Sequence, residues 1–174
     1  RMIMSGLHFK DEIPFSNVYF TSIIRDSEGK KMSKSLGNSP DPLDLFDKYG
    51  VDAVRVSILL IAPQGTDVLF SEDKIDLGRN FMNKLWNCSR FLMMNIESKD
   101  KIIPFNKLDN TSFELVDYWI LSRLNTTIKD VNHLLDNYKL NEAIKTMYNF
   151  IWKDYCDWYI EFSKSRMYGN SDAD

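Results

Sequence analysis

The sequence contains no apolar run near the roughly 20 residues that a membrane-spanning helix needs, which excludes a transmembrane helix. Cysteine is scarce: Cys88 and Cys156 stand alone, with neither a CxxC pair nor a neighbouring histidine. That pattern excludes a zinc cage and a disulfide framework and points to a reducing compartment. The GxxxxGK[ST] phosphate loop is also absent, so a generic nucleotide hydrolase is not supported. No internal repeat and no low-complexity tract occurs. The stretch Arg1–Leu7 carries no cleavable signal pattern and opens mid-helix in character, so the chain is expected to be a piece of something longer. What is present is the composition of a folded protein, 44% hydrophobic, 13% aromatic and 27% charged over 174 residues. A net charge of −3 weighs against a protein that passively coats nucleic acid, while leaving room for a local basic patch.

The chain changes character near residue 70. Before it, short elements alternate with turn chemistry. Met2, Ile3, Leu7 and Phe9 suggest the end of a helix, stopped by Gly6 and the polar Lys10-Asp11-Glu12. The β-branched and aromatic stretch 17–24 reads as a buried strand, and Arg25–Gly29 as a turn. Lys30–Pro42 has the composition of an exposed loop. Asp41-Pro42 is a helix start, with Asp as cap and Pro in the first turn; that helix runs to Tyr49 and a second covers Val51–Leu60. Asp67–Phe70 is short enough for an edge strand.

After Ser71, read as a helix cap, the pattern is helical. Ile75, Met82, Leu85, Leu92 and Ile96 share a stripe with the small Gly78 and Ser89. Lys99–Thr111 is a connector. Leu121, Leu124, Ile128, Val131, Leu135 and Tyr138 form the next stripe, and Ile144, Met147, Ile151, Tyr155, Trp158 and Phe162 a third. The expected fold is therefore mainly α: a small mixed α/β part over 1–70, then an antiparallel helical bundle over 71–174 that looks unfinished.

The strongest site signal is Lys31-Met32-Ser33-Lys34-Ser35-Leu36-Gly37-Asn38. It offers two ammonium groups, two hydroxyls and small residues whose backbone N–H groups can approach a ligand, which are the parts needed to hold a polyphosphate. A solvated Lys/Ser loop has the same composition, and on residue types alone the two readings stand level.

The longer pattern resembles class I aminoacyl-tRNA synthetases. Lys31–Ser35 is their KMSKS signature, followed by Leu-Gly-Asn as in the large enzymes for aliphatic amino acids. Asp47–Arg55, Asp117–Leu124 and Asp157–Glu161 are similar to segments downstream of that signature, and Arg1–Leu7 to the stretch upstream. Gly78–Asn87 is most similar to the valine-specific members. A further motif of the family, HIGH, is absent, and Ser22 stands where close relatives carry glycine. The resemblance implies a carboxy-side piece: the end of a Rossmann catalytic domain with stem-contact region over 1–70, then an incomplete anticodon-binding bundle over 71–174. The parent enzyme is expected to activate valine with ATP and Mg2+ and pass it to tRNA(Val), as a cytoplasmic monomer, and the piece by itself to be inactive. Isoleucine- or leucine-specific members are the alternative, as is a non-catalytic RNA-binding helical module.

Residue by residue, the resemblance gives Lys34 to the ATP phosphates and Lys31 to the charge that develops as pyrophosphate departs. Ser33 and Ser35 either donate to ATP or shape the loop. Met32 either packs near adenine or anchors the loop in apolar surface. Arg55, Lys84, Arg90 and Arg123 are candidate tRNA contacts, with Arg166 beside them, although solvated faces explain such residues nearly as well. Asp52 and Arg55 are spaced for a local ion pair. Trp86, Trp119, Trp152 and Trp158 are read as packing residues, with Tyr148 or Trp152 as an exposed platform for RNA bases the less favoured reading. His133 reads as a surface helix residue, and Asp154 and Asp157 as structural.

Overall fold

The computed structural model describes residues 1–96, 102–104, 107–108 and 113–168. It is mostly helical with one small parallel sheet. Helix α1, Met2–Lys10, runs straight through Gly6 and ends where Asp11 takes a left-handed conformation (φ 55°). Gly6 is therefore no stop signal. It is a point of close approach, where a Cβ would lie 2.7 Å from the Glu12 carbonyl oxygen and 2.8 Å from Pro14 Cδ.

The strand expected over 17–24 is reduced to β1, Ile24–Arg25. It pairs in parallel with β2, Val68–Leu69, aligning Ile24 with Val68 and Arg25 with Leu69. Residues 17–22 have no strand to pair with among the described residues, and Val18 and Phe20 are exposed. Unpaired backbone needs water, so β-propensity does not extend the strand. Ser22 instead donates its hydroxyl proton to the Pro63 carbonyl.

Between the strands lie α2, Pro42–Tyr49, and α3, Val51–Ile61. The Asp41 carboxylate accepts from the Leu43 N–H at 2.9 Å, as the Asp-Pro signal predicts. Gly50 (φ 88°) turns the chain between the two helices. Leu45, Val54, Phe70 and Ile75 form the core here, with Ile24, Met32, Phe46, Tyr49, Ile58 and Ile61 packed against it.

Helix α4, Ile75–Met94, follows a short 3-10 turn at Glu72–Lys74. It packs on α3 in a close crossing. Ser57, 1% exposed, donates to the Ile75 carbonyl at 3.0 Å and accepts from the Gly78 N–H at 2.9 Å. Any Cβ on Gly78 would fall 2.1 Å from the Ala53 carbonyl oxygen. Helix α5, Leu115–Asp136, packs on α6, Leu140–Asn149. The latter continues through a π-type stretch, Phe150–Tyr159, into α7, Ile160–Met167. Asn141 joins this long helix to the first half by donating to the carbonyls of Leu59 and Leu60, the latter at 2.8 Å.

Two stripes are out of phase with expectation. On α5 the buried residues are Asp117, Ile120, Thr127 and Val131, while Leu124, Ile128, Leu135 and Tyr138 are exposed. On the last helix Trp158 and Phe162 face outward and Cys156, Ile160 and Ser163 face in. The wider π turn, closed by i→i+5 bonds, advances each residue by a smaller angle than an α-helix does, so the phase set by a 3.6-residue period is lost beyond it. Trp86 is also outward, 72% exposed, so it is no core residue. The expected connector, 99–111, and the tail, 169–174, lie largely outside the described residues. Among the described residues no helix is long and apolar enough to cross a membrane.

Candidate functional site

The KMSKS segment leaves β1 through a turn that its neighbours close. The Asp26 N–H donates to the Lys30 carbonyl at 2.9 Å, and the Gly29 N–H, at positive φ (82°), to the Asp26 carbonyl at 3.0 Å. Arg25 then pairs in antiparallel fashion with Lys31. The Arg25 side chain fixes the outer edge by donating to Asp67 at 2.5 Å and to the Gly29 carbonyl at 3.2 Å. Met32 is half-buried against the Leu45–Val54–Phe70–Ile75 core, so the loop has one apolar anchor.

Lys34–Leu36 form a single 3-10 turn capped by Ser33, whose hydroxyl accepts from the Leu36 N–H at 3.3 Å and sits 2.7 Å from the Ser35 hydroxyl. Gly37, at φ 67°, reverses the chain, a conformation glycine adopts without strain. Asn38 folds back: its amide oxygen accepts from the Ser33 N–H at 2.9 Å, and its NH2 donates to the Lys31 carbonyl at 3.3 Å and to Asp26 at 2.8 Å. The Asn38 hydrogen bond, joined by those from the Lys30 and Glu28 amides, holds the Asp26 carboxyl below the usual carboxylate range. Lys31 and Lys34 are exposed, and neither ammonium has a hydrogen-bond or ion-pair partner among the described residues. The loop thus presents two uncompensated positive charges on a shaped backbone, an arrangement suited to a polyanion.

Most other candidate cations are already spent. Arg55 pairs with Asp52 at 3.6 Å, both exposed. Lys84 pairs with Asp157 and lies over the Trp152 ring, 4.2 Å from its centroid. Arg123 donates to Asp154 at 2.8 Å. Arg90 alone of the four is exposed without an ion pair among the described residues. Tyr148 and Trp152 stack on each other at 5.3 Å, with Phe81 stacked on Tyr148 at 4.8 Å. These rings pack α4 against the last helix, and Lys84 covers the end of the stack.

Arg166 has a different role from a phosphate contact. It donates twice to Asp117, at 2.8 Å each, and Asp117 also accepts from the Tyr159 hydroxyl at 2.8 Å and the Glu114 N–H at 2.9 Å. The Arg166 guanidinium, before its other donors, lowers the Asp117 carboxyl to about 2. This network lines a mostly apolar cavity of about 630 Å³ between α5 and the last helix, together with Ile120, Leu121, Leu124 and Tyr155. Cys88 and Cys156 are less isolated than their sequence positions suggest. Both line the groove between α4 and the π-type stretch, and burial, reinforced by Cys88, pushes the Cys156 thiol up to about 12. Among the described residues no three His, Cys, Asp or Glu side chains group closely enough to hold a metal ion.

Sequence reading missed Asp26 as part of the loop. The signal was available in the short Asp-to-Gly turn, since an Asp at its start can bond the backbone two residues on. It also missed the Asp117–Arg166 pair, which no spacing rule reveals.

Comparisons with known proteins follow the same division. Residues 1–71 match the family of class I tRNA synthetases (I, L, M and V), and residues 117–174 match the anticodon-binding domain of tRNA ligases. The chain is 53% identical to a valine–tRNA ligase of Fusobacterium nucleatum, over 100% of this chain and 19% of that protein. It is 48% identical to one of Chlorobaculum tepidum, over 98% of this chain and 20% of that protein. The chain therefore spans about a fifth of the length of these relatives. Among solved structures, a ternary complex of Agrobacterium radiobacter K84 agnB2 LeuRS with tRNA and LeuAMS superposes with a TM-score of 0.67 at 22% identity, over 88% of this chain and 20% of that one. Mycobacterium tuberculosis methionyl-tRNA synthetase with methionyl-adenylate gives 0.61 at 28% identity, over 75% and 25%.

Proposed function

The chain belongs to the class I tRNA synthetase family, and on that premise we propose that it forms part of a valine–tRNA ligase, supplying the ATP-facing KMSKS loop and helices that meet tRNA(Val). Residues 1–70 are then the end of the Rossmann catalytic domain with the stem-contact region, and 71–174 part of an antiparallel anticodon-binding bundle. The identity to valine–tRNA ligases over the whole chain, 53% in one case, carries this reading. The Gly78–Asn87 run favours valine over isoleucine or leucine.

The chemistry follows from the two free ammonium groups. In the first half-reaction the valine carboxylate attacks the α-phosphorus of ATP and pyrophosphate leaves. Lys34 would meet the phosphates and Lys31 the charge that builds on the departing group. Fixed cations aimed at developing charge lower the barrier more than they tighten ground-state binding. Ser33 and Ser35 are engaged with each other and with the 3-10 turn, which supports a shaping role for them in the free loop. Met32 is seated on the core, which supports its role as the loop's apolar anchor over a contact with adenine. Magnesium accompanying ATP would be held mainly by the substrate phosphates. For tRNA phosphates Arg90 is the available cation, whereas Arg55, Lys84 and Arg123 would have to exchange an existing carboxylate partner.

The test is adenylate formation in a valine–tRNA ligase carrying this chain. Lys34→Ala should slow it by about 10²–10³, the loss expected for one electrostatic group aimed at the transition state, with the KM for valine nearly unchanged. An unaltered rate would remove the assignment.

A further inference from the structure

The groups that fix the geometry of the two lysines lie on either side of KMSKS. Asp26 uses one carboxylate oxygen, Oδ1, to close the turn after β1, accepting from the N–H of Glu28 at 3.1 Å and of Lys30 at 2.8 Å. Its other oxygen, Oδ2, faces away from the turn and accepts from Asn38 Nδ2 at 2.8 Å. Asn38 is twelve residues downstream, yet its amide folds back to this carboxylate. Nδ2 also donates to the Lys31 carbonyl at 3.3 Å, and Oδ1 accepts from the Ser33 N–H at 2.9 Å. One side chain therefore grips the backbone on both sides of Met32 and ties it to a carboxylate rooted in the sheet.

This arrangement has an electrostatic consequence. Asp26 is the acidic residue nearest the loop by hydrogen bonding, and a free carboxylate there would attract Lys31 or Lys34. Its oxygens are instead occupied by three N–H donors, two from the backbone and one from Asn38. Both lysines stay without a partner, and the backbone that carries them is held by bonds that involve neither ammonium.

We propose that Asp26 and Asn38 are positioning residues: an amide–carboxylate clasp that orders the KMSKS backbone before ATP arrives, so that Lys31 and Lys34 act from a preset geometry. The proposal rests on the reading of the loop given above. Neither residue touches the reacting atoms. Their contribution is to remove the loop-ordering cost from the chemical step, where small misplacements of charge are expensive.

The clasp can be broken and remade by exchange. Asp26→Asn sets an NH2 or carbonyl group against the Asn38 amide with no charge to favour the bond, and Asn38→Asp sets two carboxylates face to face. The double variant, Asp26→Asn with Asn38→Asp, restores a donor opposite an acceptor. In a valine–tRNA ligase carrying this chain, valine-dependent ATP–pyrophosphate exchange should lose about tenfold or more in kcat in each single variant, in line with the sensitivity of oriented reactions to small displacements. The KM for valine should not move, and the double variant should recover most of the loss. Hydrogen exchange at the Ser33 amide, which donates to Asn38, should speed up in the single variants and slow again in the double one. Full activity with a Ser33 amide that has lost protection would overturn the positioning role. Full activity with protection retained would overturn the clasp itself. A double variant that regains Ser33 protection and no activity would overturn the link between them. Lys34→Ala judges the underlying reading separately: a full rate there would mean that the loop is not where charge acts, whatever the exchange experiment gives.

Discussion

The KMSKS loop and the helices beyond residue 71 handle charge in opposite ways. In the loop, backbone amides and an asparagine satisfy the Asp26 carboxylate, and two lysines are left open to solvent. In the helices, Lys84, Arg123 and Arg166 each meet an aspartate, and Asp117 collects four donors at a site only 7% exposed. The first pattern leaves two cations available to an anionic ligand, and the second uses charge to lock one helix against another. Arginine and lysine content therefore says little about function in this chain. What distinguishes a binding cation from a structural one is whether an acidic partner has already taken it.

Substitutions in the helical part should cost stability, and those in the loop should cost activity with the fold intact. The largest effect is expected at the α3–α4 crossing. Gly78→Ala would drive a methyl group into the Ala53 carbonyl and the Ser57 hydroxyl, and because one neighbour is backbone the helices must separate. A loss of about 3 kcal/mol or more in urea unfolding is expected, at the upper end for overpacking.

Next comes the Asp117 network. Asp117→Asn removes the charge that holds Arg166 and should cost about 2–3 kcal/mol, since hydrogen bonds from Arg166 and the Tyr159 hydroxyl to a charged carboxylate are lost at a buried site. The same network gives a pH signature. The folded-state value, about 2, lies below the ordinary 3.8, so this stabilisation is fully present above that ordinary value and is lost as pH falls through about 2. The Asn variant should show a shallower loss of stability across that acid range, read from unfolding midpoints at stepped pH.

A third test addresses the phase of α5. Ile120→Ala, at a buried site, should cost about 2–3 kcal/mol, whereas Ile128→Ala, where the side chain is 49% exposed, should cost less than about 1 kcal/mol. Equal losses would return the buried face to the one the spacing suggested. The smallest effect belongs to the loop. Ser33→Ala should cost no more than about 0.5 kcal/mol in unfolding, the low end for a capping hydroxyl on a short exposed turn. A loss there comparable with Asp117→Asn would break the contrast between the two regions.

Local chemistry was legible where a few adjacent residues decide the outcome. Asp41-Pro42 set the start of α2, Gly50 set the junction with α3, and the Lys/Ser/Gly composition marked the exposed loop. In each case a cap, a fixed φ or a missing Cβ acts within one turn of chain. The KMSKS pattern was legible for the same reason: its charges, hydroxyls and glycine are contiguous.

The sequence by itself settled which segments are helical, that the loop carries two lysines and two serines, and that the chain resembles a class I synthetase. Only the tertiary structure decided which face each helix buries. Periodicity measures the spacing of apolar residues, not their phase relative to a partner. On α5 full burial therefore falls on Ile120, Thr127 and Val131, and Leu124 and Ile128 line the groove toward the last helix with much of their surface in solvent. Beyond Phe150 the π-type turn changes the period itself and carries Trp158 and Phe162 into solvent. The contacts that matter most for the loop and the bundle, Asn38 with Asp26, Asn141 with the end of α3, and Arg166 with Asp117, join residues far apart in the chain. Hydrogen bonds of that kind depend on where folding brings two side chains, and no local pattern encodes it.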